Sequence, residues 1–577
     1  MRICGTCMQA TEFSGVSVAR ASAHSLGGTL PTMKLSRRSF IQSAAVAATL
    51  PMWGARAAAL APTFSPTWDS LVEGYRTPDW FRDAKFGIWA HWSAQCVPEM
   101  GDWYARHMYI QGHWQYEHHL KTYGHPTKVG FMEMQNRWKA ENWDPEALLD
   151  LYVKAGAKYF VALANHHDNF DNYASKYHGW NSVRVGPKRD LIDIWAKAAR
   201  ARGLRFGVSN HSAHAWHWLQ TAYGYDAEGP FAGQRYDAFR LTKADGRGTW
   251  WEGLDPQELY TGRNMVMPDG FHRARSAAAW HDENTRVWDE KPPLQNPAFV
   301  RQWFLRCRDL IDSYRPDLLY FDNSGLPLGQ AGLDIVAHYY NASMAWHGGK
   351  LEAVVNAKML PPERRAGVVE DVERGFRENI EPLPWQTDTC LGDWHYSRSV
   401  FDKHEYKSAT TIIHRLCDIV SKNGNLLLSV PLRGDGSIDA DERRILTEIA
   451  DWMGHNGEAI HGTRPWRSFG EGPTRVSGGM FSEGSSQPFT AEDIRFTAKA
   501  GALYAIAMGW PRDGILRIAS LAEESALAPG AIEGVEAVGS QESLPFHRDH
   551  NGLEIRLPEA LAGQAAVALK LQGPGLA

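Results

Sequence analysis

From Lys85 to about Val430 the chain repeats one pattern: a short apolar run, a polar end, then a longer segment that in several cases has helical periodicity. The expected strands are KFGIWAHW (85–92), KYFVALANHH (158–167), LRFGVSNH (204–211), DLLYFDN (317–323), LEAVVNA (351–357), GVVEDVE (367–373) and NLLLSVPL (425–432). Between them, PEALLDLYVKAGA (145–157) reads as a helix with Asp144 as its N-cap, and FVRQWFLRCRDLIDSY (299–314) as one that stops before Pro316. Strands alternating with helices form parallel βα units. A doubly wound sheet would give the same alternation, but here His, Asp and Glu collect at the C-terminal ends of successive strands, where a (β/α)8 (TIM-type) barrel places its chemistry.

At 577 residues the chain is too long for one core. The expected division is a leader over 1–59, a (β/α)8-like barrel over 60–465 and a C-terminal β-sandwich over 466–577. The last expectation rests on short β-compatible pieces such as LYAIAMGW (503–510) and GILRIASL (514–521), set between Gly, Pro and Ser. Residues 212–298 are irregular, rich in Trp, Gly, Asp and Arg, and read as a long βα insertion over the active-site face.

The leader carries an address. Ser36-Arg37-Arg38-Ser39-Phe40-Ile41 precedes an apolar stretch from Ala44 to Trp53 and a small-residue region, Ala55-Arg56-Ala57-Ala58-Ala59. Together these read as a twin-arginine export signal with a cleavage site, giving a periplasmic or secreted protein with no membrane attachment after cleavage. Met33 is an alternative start to Met1. Cys4 and Cys7 fall in this leader; Cys96, Cys307, Cys390 and Cys417 are scattered, without metal-ligand spacing or a disulfide framework.

A net charge of −5 gives no electrostatic footprint for nucleic acid or an anionic membrane. Many of the 24 Trp, 20 Tyr and 22 Phe stand beside His and Asp instead of in apolar runs. That mixture suits a neutral carbohydrate, whose C–H faces pack on flat rings while polar groups bond its hydroxyls.

Asp322 ends the apolar run Leu318-Leu319-Tyr320-Phe321 just before Asn323-Ser324-Gly325. A carboxylate there emerges at the barrel mouth on a buried strand, the rigid placement a nucleophile requires, although capping of the following turn fits the same segment. A retaining glycosidase needs a second carboxyl about 5–5.5 Å away. Glu370, Asp371 and Glu373 are the candidates; alternation puts Asp371 and Glu373 on one face and Glu370 on the other, and Arg374-Gly375 marks a turn. His91-Trp92 and His166-His167-Asp168 end the first two strands. Such histidines serve as metal ligands, surface groups or donors to substrate hydroxyls, and the spacing for metal is missing at the first strand.

Several segments in order, KFGIWAHWSAQCVPEMGDWY (85–104), NHHDNFDNYASKYHGWNSVRVGPKRDLI (165–192), LLYFDN (318–323), WQTDTCLGDWHY (385–396), DIVSKNGNLLLSVPLRGDGSI (418–438) and NGEAIHGTRPW (456–466), resemble glycoside hydrolase family 29, the α-L-fucosidases. The resemblance covers roughly residues 65–470. It implies a barrel followed by a β-sandwich, no metal or other cofactor, and retention through a glycosyl-enzyme. By motif, Asp322 matches the nucleophile, and His91, His166 and His167 match histidines that bind sugar hydroxyls. Asp102-Trp103 falls where the family has Glu-Trp, and the WQTDTCLGDWHY segment adds Trp394. The acid/base varies within the family; Glu373 is assigned from its place after the sixth expected strand, and a family arginine upstream of it falls near Lys358.

The chain also departs from the family. Gly207-Val208-Ser209-Asn210-His211-Ser212 stands where many members read G-L-Y-Y-S, so Asn210 or His211 replaces a pocket tyrosine, and Asn169 replaces the Gly of H-H-D-G-F. These changes fit a sugar with a hydroxyl where fucose has its methyl group. The reaction class survives these changes, and the activity expected from the resemblance is that of an exo-acting, retaining α-L-fucosidase. Its alternatives are an α-L-galactosidase or α-L-glucosidase on the same machinery, or a non-catalytic carbohydrate-binding protein; a lectin needs no acid pair at the mouth.

Overall fold

A computed structural model describes residues 63–577 apart from 287–290 and 541. The export signal, Cys4 and Cys7 lie outside the described residues. Eight parallel strands, β1 (Phe86–Ala90), β2 (Tyr159–Asn165), β3 (Arg205–Asn210), β4 (Leu318–Ser324), β5 (Val354–Lys358), β6 (Val369–Asp371), β7 (Trp385–Cys390) and β8 (Gly424–Ser429), close into a barrel in chain order, β1 pairing with β8. Outside them pack α1 (Pro145–Lys154), α2 (Leu191–Ala201), α3 (Pro297–Tyr314), α4 (Gln330–Trp346), α5 (Ala409–Ser421) and α6 (Ala440–Asn456).

Local chemistry sets the helix ends. Asp144 accepts a hydrogen bond from Ala147 N at 3.0 Å with Pro145 in the first turn, and Asp190 accepts from Asp193 N at 3.0 Å. Each such cap contributes about 1 kcal/mol. On α2 the buried face is Leu191, Ile192, Trp195, Ala196, Ala198 and Ala199, a spacing of three and four that lays one stripe on the barrel.

Side chains fill the barrel interior. Gly87 sits beneath the Tyr159 ring, where a Cβ would lie 2.4 Å from ring carbons, so only glycine admits that ring. Tyr159 Oη donates to Gln386 Oε1 at 2.9 Å. One layer toward the mouth, Trp89 Nε1 donates to Ser209 Oγ at 3.2 Å and its ring lies 4.7 Å from Tyr320.

The strand missing from the sequence expectation is β7. Its WQTDTC has no apolar run, and its polar side chains find partners within the molecule: Gln386 donates to Asp371 at 2.9 Å, Thr387 Oγ1 donates to Val372 O at 2.7 Å, and one oxygen of Asp388 accepts from Tyr320 Oη at 2.7 Å.

After the barrel, β9 (Arg464–Glu471), β10 (Ile494–Lys499), β11 (Ala502–Ala507), β12 (Ile515–Ile518), β13 (Gly534–Ala537), β14 (Phe546–Asp549), β15 (Gly552–Arg556) and β16 (Val567–Gln572) form two antiparallel sheets, ordered β13-β16-β11-β10-β9 and β12-β15-β14. They share a core that includes Ile494, Phe496 and Leu503 from one and Leu516, Ile518, Leu553 and Ile555 from the other. On β11 the alternation serves two cores: Leu503, Ala505 and Ala507 face the sandwich, while Ala502, Tyr504 and Ile506 join the barrel's cluster. Arg495 on β10 reaches Asp418 on α5 at 2.7 Å, and Lys422 reaches the same carboxylate at 2.9 Å, all three buried.

The irregular insertion after β3 is ordered by buried polar centres. Asp226 accepts from Tyr116 and Tyr236, each at 2.6 Å, and pairs with His125 at 2.9 Å. The Arg106 guanidinium donates to the carbonyls of Trp218, His281 and Thr285. These bonds bring Trp218 to the barrel mouth, 5.4 Å from the His167 ring.

Candidate active site

The ends of β4, β5 and β6 converge on one ammonium. Lys358, the last residue of β5, is buried, and its Nζ lies 2.6 Å from Asp322 Oδ1 and 2.5 Å from Glu373 Oε2. The two bonded oxygens are therefore no more than about 5 Å apart, in the range for retention and well short of the ~9 Å of inverting pairs. Both carboxyls open toward solvent, with side-chain exposures of 22% for Asp322 and 15% for Glu373.

The other acids sort by strand alternation. Glu370 faces away from the mouth, paired with Arg365 at 3.1 Å and with Arg377. Asp371 points inward one layer deeper, bonded by Tyr320 and Gln386. Glu373 lies two residues beyond β6, at the mouth.

The electrostatics separate the pair. Burial alone would raise the Asp322 pKa, but the Lys358 ammonium and hydrogen bonds from His167 and His211 hold it well below the usual carboxylate range. Glu373 is pushed up to about 7 by burial and by the negative charges of Asp388 and Asp322, against the pull of Lys358. Asp371, buried beside Asp388, is raised well above the carboxylate range.

Around Asp322 stands a wall of histidines. His167 Nε2 lies 3.3 Å from Asp322 Oδ2, and its Nδ1 lies 2.8 Å from His211 O. His211 Nδ1 lies 3.2 Å from Asp322 Oδ2. Since an ionised carboxylate only accepts, His211 Nδ1 carries the proton. Burial lowers the pKa of His211 to about 4, so at neutral pH its Nε2 is a bare acceptor, buried and without a hydrogen-bond partner among the described residues. His166 Nδ1 accepts from Gln95 Nε2 at 2.9 Å, which puts its proton on Nε2. The His91 ring lies 4.1 Å from Trp89 and 5.4 Å from Trp394, and its Nδ1 likewise has no partner among the described residues.

Asp102 accepts from His395 Nδ1 at 2.6 Å, and His395 Nε2 meets Ser93 Oγ at 3.1 Å, so this carboxylate is fixed from behind. Trp103 adopts a left-handed backbone, φ 62°, with its ring 6.4 Å from His167 and 5.8 Å from Trp218. His91, Asp102, Trp103, His166, His167, His211 and Trp394 are thus brought together with the two carboxyls.

Asn210 is the exception and corrects the sequence expectation. Its amide accepts from Trp303 Nε1 at 3.3 Å and donates to Cys307 Sγ at 3.3 Å, both on α3. Ser209 faces inward to Trp89, so strand alternation turns Asn210 out toward the helices and returns His211 to the mouth. Sequence reasoning also missed His395, Tyr320 and Asp388. His395 and Asp388 were signalled only by lying in one matching segment, WQTDTCLGDWHY, and β7, which carries Asp388, was not recognised as a strand.

Three donor sets lie close enough to hold an ion: His91, His166 and His211; Asp102, His166 and His395; and His167, His211 and Asp322, the donor atoms of each within 4.8 Å of one another. Lys358 already supplies the positive charge at Asp322, while Gln95, Asp102 and Ser93 occupy nitrogens of His166 and His395.

Residues 53–458 match the family described as Alpha-L-fucosidase, and residues 487–572 match the Alpha-L-fucosidase C-terminal domain. The tissue alpha-L-fucosidase of Bos taurus is 27% identical over 526 residues, spanning 89% of this chain and 92% of its own length. That of Homo sapiens is 26% identical, spanning 88% and 92%. Among solved structures, Thermotoga maritima alpha-fucosidase in complex with a mechanism based inhibitor superposes with a TM-score of 0.62 at 26% identity, covering 88% of this chain and 99% of that one. With well over half of its residues matched in this way, the chain belongs to the alpha-L-fucosidase family of glycoside hydrolases.

Proposed function

We propose that this protein is an exo-acting, retaining α-L-fucosidase that removes terminal α-L-fucosyl residues from glycans, and that a twin-arginine signal exports it to the periplasm or beyond. The observation that carries the reading is the Lys358 bridge: one ammonium holds two carboxyls at a spacing suited to retention while their pKa values are driven apart. Asp322, ionised, attacks the anomeric carbon. Glu373, protonated, gives its proton to the leaving oxygen as the glycosidic bond breaks. Water then enters on the same face, Glu373 takes its proton, and the C–O bond to Asp322 breaks to release the sugar with its original configuration. His91, His166, His167, His211, Asp102, Trp103 and Trp394 receive the sugar, polar tips to hydroxyls and indoles to C–H faces. The export reading rests on the Arg37-Arg38 motif and the apolar and small-residue segments behind it; no helix among the described residues is long and apolar enough to cross a membrane.

A second reading, an α-L-galactosidase on the same machinery, draws on His211. Its bare Nε2 and the Nε2–H of His166 offer an acceptor and a donor, which a hydroxyl satisfies and a methyl group does not. Hydrolysis of nitrophenyl glycosides of L-fucose, L-galactose and L-glucose beside common D-sugars, with the anomer released followed by NMR, tests both. Preference for the α-L-fucoside with retention is expected; a preferred α-L-galactoside selects the second reading, and an inverted product overturns the mechanism.

A further inference from the structure

Two apolar side chains on the rim beyond the carboxyls are turned to solvent. Met359 directly follows Lys358 at the end of β5, and Phe481 lies in the connection between β9 and β10. Each is 63% exposed. Both have left-handed backbone, φ 52° and 56°, a region that bulky residues rarely occupy. An apolar side chain that is both strained in its backbone and left in water is better explained by something it meets outside the molecule than by packing within it.

Phe481 is also rigidly held. Its N–H donates to the carbonyl of Glu373 at 2.8 Å, Gly479 N donates to Phe376 O at 2.9 Å, and Glu483 N donates to Arg374 O at 3.0 Å. The join is tight enough that a Cβ on Gly375 would fall 2.1 Å from Gly479 O. The buried Glu483 carboxylate locks it further, taking Arg374 Nε at 2.6 Å, Thr389 Oγ1 at 2.7 Å and the Arg415 guanidinium. An exposed phenyl ring thus stands on a fixed pedestal bonded to the backbone of the acid/base candidate.

That position decides its use. The histidine wall from β1 to β3 encloses Asp322 and the sugar to be released, whereas a general acid must stand beside the leaving oxygen. A residue bonded to the Glu373 carbonyl is on the leaving-group side. We propose that Phe481, with Met359 beside Lys358, forms the binding site for the leaving group, a pyranose of the remaining glycan whose apolar C–H face packs on the phenyl ring. This rests on the reading of the protein as an α-L-fucosidase. The thioether adapts to differing rings, which suits a surface that meets more than one aglycone.

The test compares Phe481→Ala and Phe481→Trp with wild type on a fucosyl oligosaccharide and on α-L-fucosyl fluoride, whose leaving group has no ring. The ratio of kcat/KM for oligosaccharide to that for fluoride should fall roughly three- to tenfold in Phe481→Ala, by loss of one ring contact, and recover in Phe481→Trp. An unchanged ratio in Phe481→Ala overturns the proposal, as does a loss that Phe481→Trp fails to restore. Wild-type protein that turns over neither substrate overturns the fucosidase reading itself, and the subsite with it.

Discussion

Replacing Lys358 by methionine removes the charge that Asp322 and Glu373 share while keeping most of the side-chain volume. The ammonium is 2.6 Å from one carboxyl, 2.5 Å from the other and 4.0 Å from Asp388, with a side chain only 6% exposed. Breaking a buried pair in this way costs about 3–5 kcal/mol, mostly from the charge left without a partner. Carboxyls can relieve that cost by taking up protons, and at ~1.4 kcal/mol per pKa unit it corresponds to an upward pressure of roughly two to four units on the group of acids. In wild type Asp322 is depressed, so its contribution to stability is present above its unfolded value and lost as pH falls through the folded one. Lys358 is raised well above its usual value, so its own contribution is complete throughout the acid and neutral range. In the variant Asp322 rises and is protonated already in mild acid. The destabilisation by Lys358→Met, measured by urea unfolding, should therefore be large at pH 7 and much smaller at pH 4.5. Both limbs of the kcat/KM profile on nitrophenyl fucoside should also move to higher pH, since the nucleophile loses its proton later and the acid keeps its proton longer. Equal destabilisation at the two pH values together with unmoved limbs would refute the idea that this ammonium sets the ionisation of the pair.

Asp322→Gly should abolish turnover while leaving the far-UV circular dichroism unchanged, since the side chain is partly exposed and its loss empties no core volume; azide should restore activity by attacking the anomeric carbon from the vacated space, and wild-type rates without azide would remove Asp322 from the nucleophile's role. Glu373→Ala should slow a fucosyl oligosaccharide by about 10²–10⁴-fold and an activated nitrophenyl glycoside much less in glycosylation, because a nitrophenolate leaves with little protonic help; the wild-type alkaline limb should lie near the value of about 7 to which Glu373 is raised. Equal losses on both substrates would move the assignment to Asp371. Asp418→Ala leaves Arg495 and Lys422 buried without their counter-ion and should cost about 3–5 kcal/mol in urea unfolding; a change under ~1 kcal/mol would show that this junction does not hold the β-sandwich to the barrel.

The parts legible in the sequence are those in which one local rule decides the outcome. Strands buried on both faces, such as Tyr159–Asn165 and Leu318–Ser324, read as apolar runs, and Asp144 announced a helix because capping is a short-range bond. Alternation alone separated Glu370 from Asp371 and Glu373, and the structure keeps that division. Where a residue's role depends on a partner far along the chain, local pattern is silent. Gln386 and Asp388 make β7 look like a loop, because their hydrogen-bond partners, Tyr159 and Tyr320, lie 227 and 68 residues away.

Asn210 and His211 show the same division at the scale of one residue. Either could stand for the missing tyrosine by alignment, and only the register of β3 against β2 and β4 turns one toward Trp303 and the other toward Asp322. A slip of one residue would exchange their faces and give the nucleophile an amide in place of an imidazole. Register is thus a chemical variable here, because it decides which group meets the aspartate. Ser209 supports it through the bond from Trp89, one layer beneath the mouth. The identity of the group beside the nucleophile therefore depends on how β3 pairs with its neighbours as well as on which residues the segment contains.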